Sequence, residues 1–396
     1  MITREYYLQE LNNWRDKDLI KVITGVRRCG KSTLLKQFQE TLLNQGVPSS
    51  NLIALNLDDL AYEELHDYKK LYDYIQDKLQ LQGKNYVFLD EIQLVPQFQK
   101  AVDSLYLKKN VDLYITGSNA YLLSGELATL LSGRYIEIKM LPFSFKEFFS
   151  FKGGDRQQAW QEYFAWGGFP YSTQLMGEGN HQLYLEGVYN TILVKDVSTR
   201  KTTLNTELMD RIARFLFLNI GNIISAKKIA DTITSQGMKT SSATVEEYIK
   251  ALLEAFLFYK VGRYNIKGKH ALSSLEKYYL VDTGLRRLFA TTANEDIGYI
   301  LENIVYLELL RRNYFKVRIG KWDAMEIDFI TEKAGVREYY QVATSLLDAK
   351  TLKRELAPLQ RVNDAYAKYI LTLNAVDTDE NGIRCLNVID WLLNEK

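Results

Sequence analysis

The sequence predicts an α/β fold whose first part is a parallel sheet, and three observations predict it. Between residues 18 and 112, short apolar runs alternate with longer polar, helix-forming stretches. A glycine-rich tract, GVRRCGKS at residues 25–32, follows the first apolar run and opens a helix-forming one, TLLKQFQETLL. At 396 residues the chain exceeds one ordinary core, so several domains are expected.

Taken in order, LIKVITGV (19–26), LIALNL (52–57), YVFLD (86–90), LYITGS (113–118) and YIEIKM (135–140) read as five strands of a core over residues 1–142. A ligand of such a sheet binds at the carboxyl ends of its strands. Residues 143–206 turn helical and aromatic around the turn-forming GGFP at 167–170, the pattern of a helical lid. A helix from Glu207 to Asn219, a second opening at Ser225 and a third over 242–258 precede two β-like runs, LFYKVGRY and KYYLVD. Three helices and then a strand pair make a winged helix-turn-helix over 207–289. After a loop at 290–296, the helix YILENIVYLELLRR, the runs EIDFI and EYYQVA, a helix from Lys350 and the strand AKYILTL form a second α/β unit over 290–396.

Composition narrows the function classes. An apolar share of 46% and a charged share of 25% are those of a globular protein, and a net charge of +1 gives no global pull toward nucleic acid or membrane. The amino-terminal MITREYYLQE lacks the basic start and apolar core of a secretory signal, and no run approaches a membrane span, so the chain reads as cytoplasmic with no membrane partner. Two cysteines and three histidines in no ligand spacing imply neither a disulfide framework nor zinc.

The chemistry lies in the first half. GVRRCGKS fits G-x-x-x-x-G-K-[ST] between a strand and a helix, a phosphate-binding loop. Its backbone N–H groups would cradle phosphates along Gly25, Val26, Arg27, Arg28, Cys29 and Gly30, with Thr33 just beyond; the arginine side chains themselves are left unassigned. Lys31 would neutralise the β and γ oxygens, and Ser32 would place its hydroxyl on Mg2+. Asp90 and Glu91 end an apolar strand, the first suited to the metal shell and the second to activating water. Asn119 ends the next strand, where its amide is either a γ-phosphate sensor or an ordinary strand-ending residue. Arg134 precedes a strand at the sheet rim, as a finger for a neighbouring subunit's γ-phosphate or as a plain surface ion pair.

Together with GVRRCGKSTLL, the tracts FLDEIQ, ITGSN, LSGRY, PFSFKEF, GGFP and ILVKDV resemble a prokaryotic AAA family. Its members pair an ATPase related to the origin-recognition and Cdc6-like group with a C-terminal domain of unknown function. The resemblance covers nearly the whole chain and implies an ATP-hydrolysing AAA module using Mg2+, a winged helix with a DNA connection, and a C-terminal domain similar to restriction-endonuclease-like folds. Such a site needs an acidic residue on a helix, an Asp at a strand end and E-x-K on the next strand. Glu302 and Asp328 meet the first two, whereas Gln341, Val342 and Ala343 stand at the third, leaving no second carboxylate and nothing to replace the lysine's charge. The trio therefore reads as a vestigial nuclease-like centre whose fold is retained for binding, or Glu302 and Asp328 are ordinary polar residues of an α/β domain.

Residues 201–290 carry 14 Lys and Arg against 8 Asp and Glu, with Lys227, Lys228 and Lys239 around the turn and Arg263, Lys267 and Lys269 in the wing. That local excess suits a DNA backbone. Glu246, Glu247 and Glu254 on the third helix suit a protein partner instead. Three functions follow: an ATPase that oligomerises around its nucleotide and acts on DNA, a regulatory nucleotide switch for protein partners, and an ATP-dependent nuclease.

Overall fold

The computed structural model describes residues 2–120, 133–198, 205–290, 297–312, 314, 316–374 and 378–394, the side chains of Ser273 and Ser274 excepted. Leu131 and Ser132 of the LSGRY tract, residues 199–204 of the expected lid, and the loop expected at 290–296 apart from Ala290 lie outside them. Two compact units divide the chain: Met1–Pro142 with Glu254–Phe256, and Phe143–Leu253 with Leu257–Lys396. Among the described residues no helix is long and apolar enough to cross a membrane.

In the first unit the five apolar runs form β1 (Ile20–Thr24), β2 (Leu52–Asn56), β3 (Asn85–Asp90), β4 (Val111–Gly117) and β5 (Tyr135–Lys139). They pair in parallel in the order β2-β3-β4-β1-β5. Strands β1, β3 and β4 are buried along their whole length, which is why they read as near-continuous apolar runs rather than alternating ones, with the buried Lys21 of β1 paired to Asp112 of β4. Helices α1 (Glu5–Asn13), α2 (Lys31–Asn44), α3 (Tyr68–Lys78) and α4 (Phe98–Tyr106) accompany the sheet. Leu71 and Ile75 of α3 and Val102 and Leu105 of α4 share a core with Val22, Val87, Leu89 and Ile115. Phe38 of α2 packs against Phe88 and Tyr114. Because every strand runs the same way, the ends of β1, β3 and β4 share one edge, and these three strands are neighbours.

From Phe143 onward the helices are α5 (Phe145–Lys152), α6 (Arg156–Trp166), α7 (Glu178–Thr191), α8 (Thr206–Leu218), α9 (Ala226–Ser235), α10 (Ser242–Glu254), α11 (Ile297–Arg311), α12 (Ala349–Arg361) and α13 (Val388–Leu392). The strands are β6 (Ile223–Ile224), β7 (Phe258–Asn265), β8 (His270–Leu280), β9 (Lys316–Trp322), β10 (Met325–Lys333), β11 (Val336–Ala343), β12 (Ala367–Thr372), β13 (Thr378–Asp379) and β14 (Ile383–Asn387). They make one nine-stranded sheet, β13-β14-β12-β11-β10-β9-β7-β8-β6. The GGFP turn has a steric reason: Gly167 has φ 72, and a Cβ there would lie 1.8 Å from the Asp282 carboxylate.

Helices α8, α9 and α10 followed by β7 and β8 are the three helices and strand pair expected, with β6 added and antiparallel to β8. The strand pair does not project as a separate wing. Strand β7 lies parallel to β9, with Arg263 opposite Ile319 and Asn265 opposite Lys321, so the sheet runs across the division expected at 289/290. Gly320 permits this junction, since a Cβ there would sit 2.9 Å from Ile330 and 3.0 Å from Ile266 and Ile327. Strand β10 carries a bulge between Ile327 and Ile330, at Asp328.

Candidate active site

The loop after β1 is held open by backbone conformations that ordinary residues avoid. Gly25 has φ 153, and a Cβ on it would fall 2.2 Å from the Met140 carbonyl oxygen; Gly30 has φ 105 at the mouth of α2. Gly30 at the N-cap has no side chain with which to cap α2, and although the Lys31 N–H faces the Cys29 thiol, the helix N-terminus behind the loop is suited to an anion. Arg4, buried, donates to the carbonyls of Cys29 at 3.2 Å and Leu141 at 2.9 Å and pins the far side of the loop. Arg28 is exposed at φ 69, and Val26 and Cys29 are buried. Thr33 is half-buried in the first turn of α2.

Lys31 begins α2 and is buried, its Nζ donating to the carbonyls of Gly25 at 2.9 Å and Val26 at 3.2 Å. It also lies 3.9 Å from Glu91 Oε1. The Asp90 carboxylate accepts from the hydroxyls of Ser32 and Thr116. Burial pushes its carboxyl up from the ordinary value, against the lowering effect of those two bonds. A hydroxyl and one carboxylate are hard oxygen donors, and no three His, Cys, Asp or Glu side chains among the described residues converge into a protein-only cage. That donor set fits Mg2+, which takes one or two protein ligands and leaves the rest of its octahedron to phosphate and water.

Glu91 stands at φ 54, past the strand, with its N–H donating to Thr116 Oγ1 at 3.0 Å. Burial would raise its carboxyl, but the charges of Lys31 and Arg27 and hydrogen bonds from Gln93 and Ser118 outweigh that and hold it below the usual glutamate range. It is thus an ionised base beside the loop.

The structure brings together Lys31, Ser32, Asp90 and Glu91. Asn119 is buried just beyond β4, while the hydroxyl that reaches Glu91 belongs to its neighbour Ser118. Thr116, Ser118, Gln93 and Arg4 are the residues that sequence reading missed. Thr116 and Ser118 left a signal: hydroxyls two apart in an apolar strand face the same side. Arg134 precedes Tyr135, which pairs with Ile20 at the start of β1, the opposite edge from the loop. There its guanidinium pairs with Asp103 and lies 5.6 Å from the centre of the Tyr106 ring, both on α4.

A model of the AAA domain matches residues 17–149, and one of a domain of unknown function, DUF8612, matches 157–296. The chain belongs to the AAA family of P-loop ATPases. An uncharacterized protein of Haemophilus influenzae is 42% identical over 99% of each chain, and one of Methanocaldococcus jannaschii is 31% identical over 94% of this chain and 85% of its own. The Walker-type ATPase of Pyrococcus abyssi covers 73% of this AAA chain and 96% of itself, at 17% identity and a TM-score of 0.51, a likeness of fold.

Farther along this AAA chain, Glu302 of α11, Asp328 of β10 and Gln341 of β11 are buried together. Asp328 Oδ2 accepts from the Val342 N–H at 2.8 Å, and Gln341 donates to Glu355 at 2.8 Å. The expectation that nothing replaces the lysine's charge is corrected here. Lys277 of β8 places its ammonium 2.8 Å from Glu302 and 2.7 Å from Glu326. The lysine arrives from the strand pair that joins the same sheet, so it precedes Glu302 in sequence instead of following Asp328. Burial pushes the Asp328 carboxyl well above its ordinary value, Glu302 adds to this, and Lys277 opposes it.

Proposed function

We infer that the chain hydrolyses ATP to ADP and phosphate with Mg2+. The supporting observation is the pairing of an ionised Glu91 with Lys31 beside the Asp90 and Ser32 donor pair, at the mouth of a glycine loop and a helix N-terminus. Lys31 exchanges the Gly25 and Val26 carbonyls for the β and γ oxygens, and the open N–H groups of the loop take the remaining phosphate oxygens. Ser32 and Asp90 would hold Mg2+, which when bound would supply charge neutralisation to the phosphates. Glu91 accepts the proton of the water that attacks the γ phosphorus, with ADP as the leaving group. Steady-state phosphate release tests this: Lys31→Ala is expected to reduce kcat/KM by at least about a hundredfold, and equal release by wild type and variant would remove the assignment.

The energy of hydrolysis is coupled to DNA through the three helices α8, α9 and α10 and the β7–β8 pair, whose strands belong to the nine-stranded sheet. What supports this is the exposure of Lys227, Lys228, Lys239 and Lys269 in that segment. Lys267 is exposed too, but lies 3.4 Å from Asp323. Four phosphate contacts would give log affinity against log salt a slope of about −3 to −4, roughly a hundredfold loss between ~50 and ~200 mM. Glu246 and Glu247, exposed on α10, favour a protein partner as the second reading. Absence of binding to duplex or single strands at low salt would decide for that reading.

A further inference from the structure

We propose that Gln93 is a second water-orienting residue of the hydrolytic site, steering Glu91 with its amide N–H and taking a hydrogen of the attacking water on its amide oxygen. The proposal rests on the ATP-hydrolysing reading above. It begins from the backbone at Glu91, whose φ of 54 takes it out of the strand geometry that aims Asp90. The bond from its N–H to Thr116 fixes the main chain but leaves the carboxylate to be aimed by side chains. Lys31, Gln93 and Ser118 do this, together with the charge of Arg27. Phosphate in the loop claims Lys31, and the aim of Glu91 then passes to Gln93 and Ser118.

The orientation of the Gln93 amide is set by its surroundings. Its Nε2 donates to Glu91 Oε2 and lies 3.4 Å from Ser118 Oγ, so the N–H side faces the carboxylate. Its Oε1 is enclosed and has no donor against it among the described residues. A buried acceptor without a donor is costly, and buried amides in folded proteins are ordinarily satisfied. A water that aims a lone pair at phosphorus gives both of its hydrogens to acceptors. Glu91 takes one, and Gln93 Oε1 is the spare acceptor in the same cluster. In the step, the water oxygen bonds the γ phosphorus, the bond to the β–γ bridging oxygen breaks with its electron pair leaving on ADP, and the proton goes to Glu91. Gln93 accepts a hydrogen bond throughout and exchanges no proton.

Two variants of full-length protein test this, each close in size to glutamine: Gln93→Met removes donor and acceptor, and Gln93→Glu keeps acceptors but loses the donor. Turnover, KM and affinity for a non-hydrolysable ATP analogue are measured for both beside wild type and Lys31→Ala. Expected is a kcat lowered by roughly ten- to a hundredfold in each, a fraction of a general base's contribution, with KM and analogue affinity within about threefold of wild type. A kcat within twofold of wild type in either variant overturns the proposal, as does analogue affinity falling in step with kcat, the mark of a distorted loop. Wild type no faster than Lys31→Ala removes the hydrolytic reading itself and the role of Gln93 with it, an outcome distinct from active wild type with active variants.

Discussion

Glu91→Gln is expected to bind ATP as tightly as wild type while turning it over about two to four orders of magnitude more slowly. The substitution preserves volume and the contacts that position the main chain, since the N–H of residue 91 still reaches Thr116. It leaves the magnesium donors of Ser32 and Asp90 intact. A neutral amide cannot take the water's proton, so the loss falls on kcat. Binding is not expected to weaken, because Lys31, 3.9 Å from Glu91 Oε1, loses a competitor for its charge rather than a support. Burial of Asp90 beside a second carboxylate is also relieved: Glu91 is among the groups that raise the Asp90 carboxyl. Analogue titration and single-turnover hydrolysis check the two halves separately. Turnover at the wild-type rate would move water activation to another residue.

The parts of this site that were legible in sequence are those whose geometry is local. The loop is eight consecutive residues between a strand and a helix, and Asp90 and Glu91 are adjacent at a strand end, so spacing alone carried them. Gln93, Thr116 and Ser118 escaped because they act through contacts 25 or so residues apart in sequence or through a turn that only the left-handed Glu91 creates. Arg4 grips carbonyls 25 and 137 residues away, which no spacing rule anticipates. Strands β1, β3 and β4 of the first unit were legible because burial on both faces makes them mostly apolar. Strand β9, KVRIGKW, was not, since Gly320 and Lys321 break its short alternation and the glycine, which serves the approach of Ile266, Ile327 and Ile330, is a poor strand former. Its pairing with β7 is what draws the strand pair into the larger sheet, and with it Lys277 into contact with Glu302 and Glu326.

Lys277→Met is expected to destabilise the second unit by about 3–5 kcal/mol at neutral pH, the range for leaving buried charge without its partner. The ammonium is the only cation that contacts Glu302 or Glu326 among the described ion pairs, and both lysine and Glu302 side chains are under 10% exposed. Tyr279 also donates to Glu302, but a phenol cannot balance two carboxylates and the nearby Asp328. Methionine fills the lysine's volume, so the effect is electrostatic and not a cavity. In the variant the Asp328 carboxyl, already raised by burial and by Glu302, loses the opposing charge of Lys277 and rises further as it takes up a proton. A carboxyl raised on folding contributes stability below its unfolded value and loses it as pH rises through the folded one. The penalty is therefore expected to shrink toward pH 5 and to grow toward pH 8, measured by denaturant midpoints for variant and wild type across that interval. Glu302→Gln added to Lys277→Met is expected to recover a large part of the loss, since the double variant removes both ends of the pair. A penalty independent of pH and unrelieved by Glu302→Gln would mean that Lys277 serves the sheet by packing, and that the carboxylates around it carry their charge by some other arrangement.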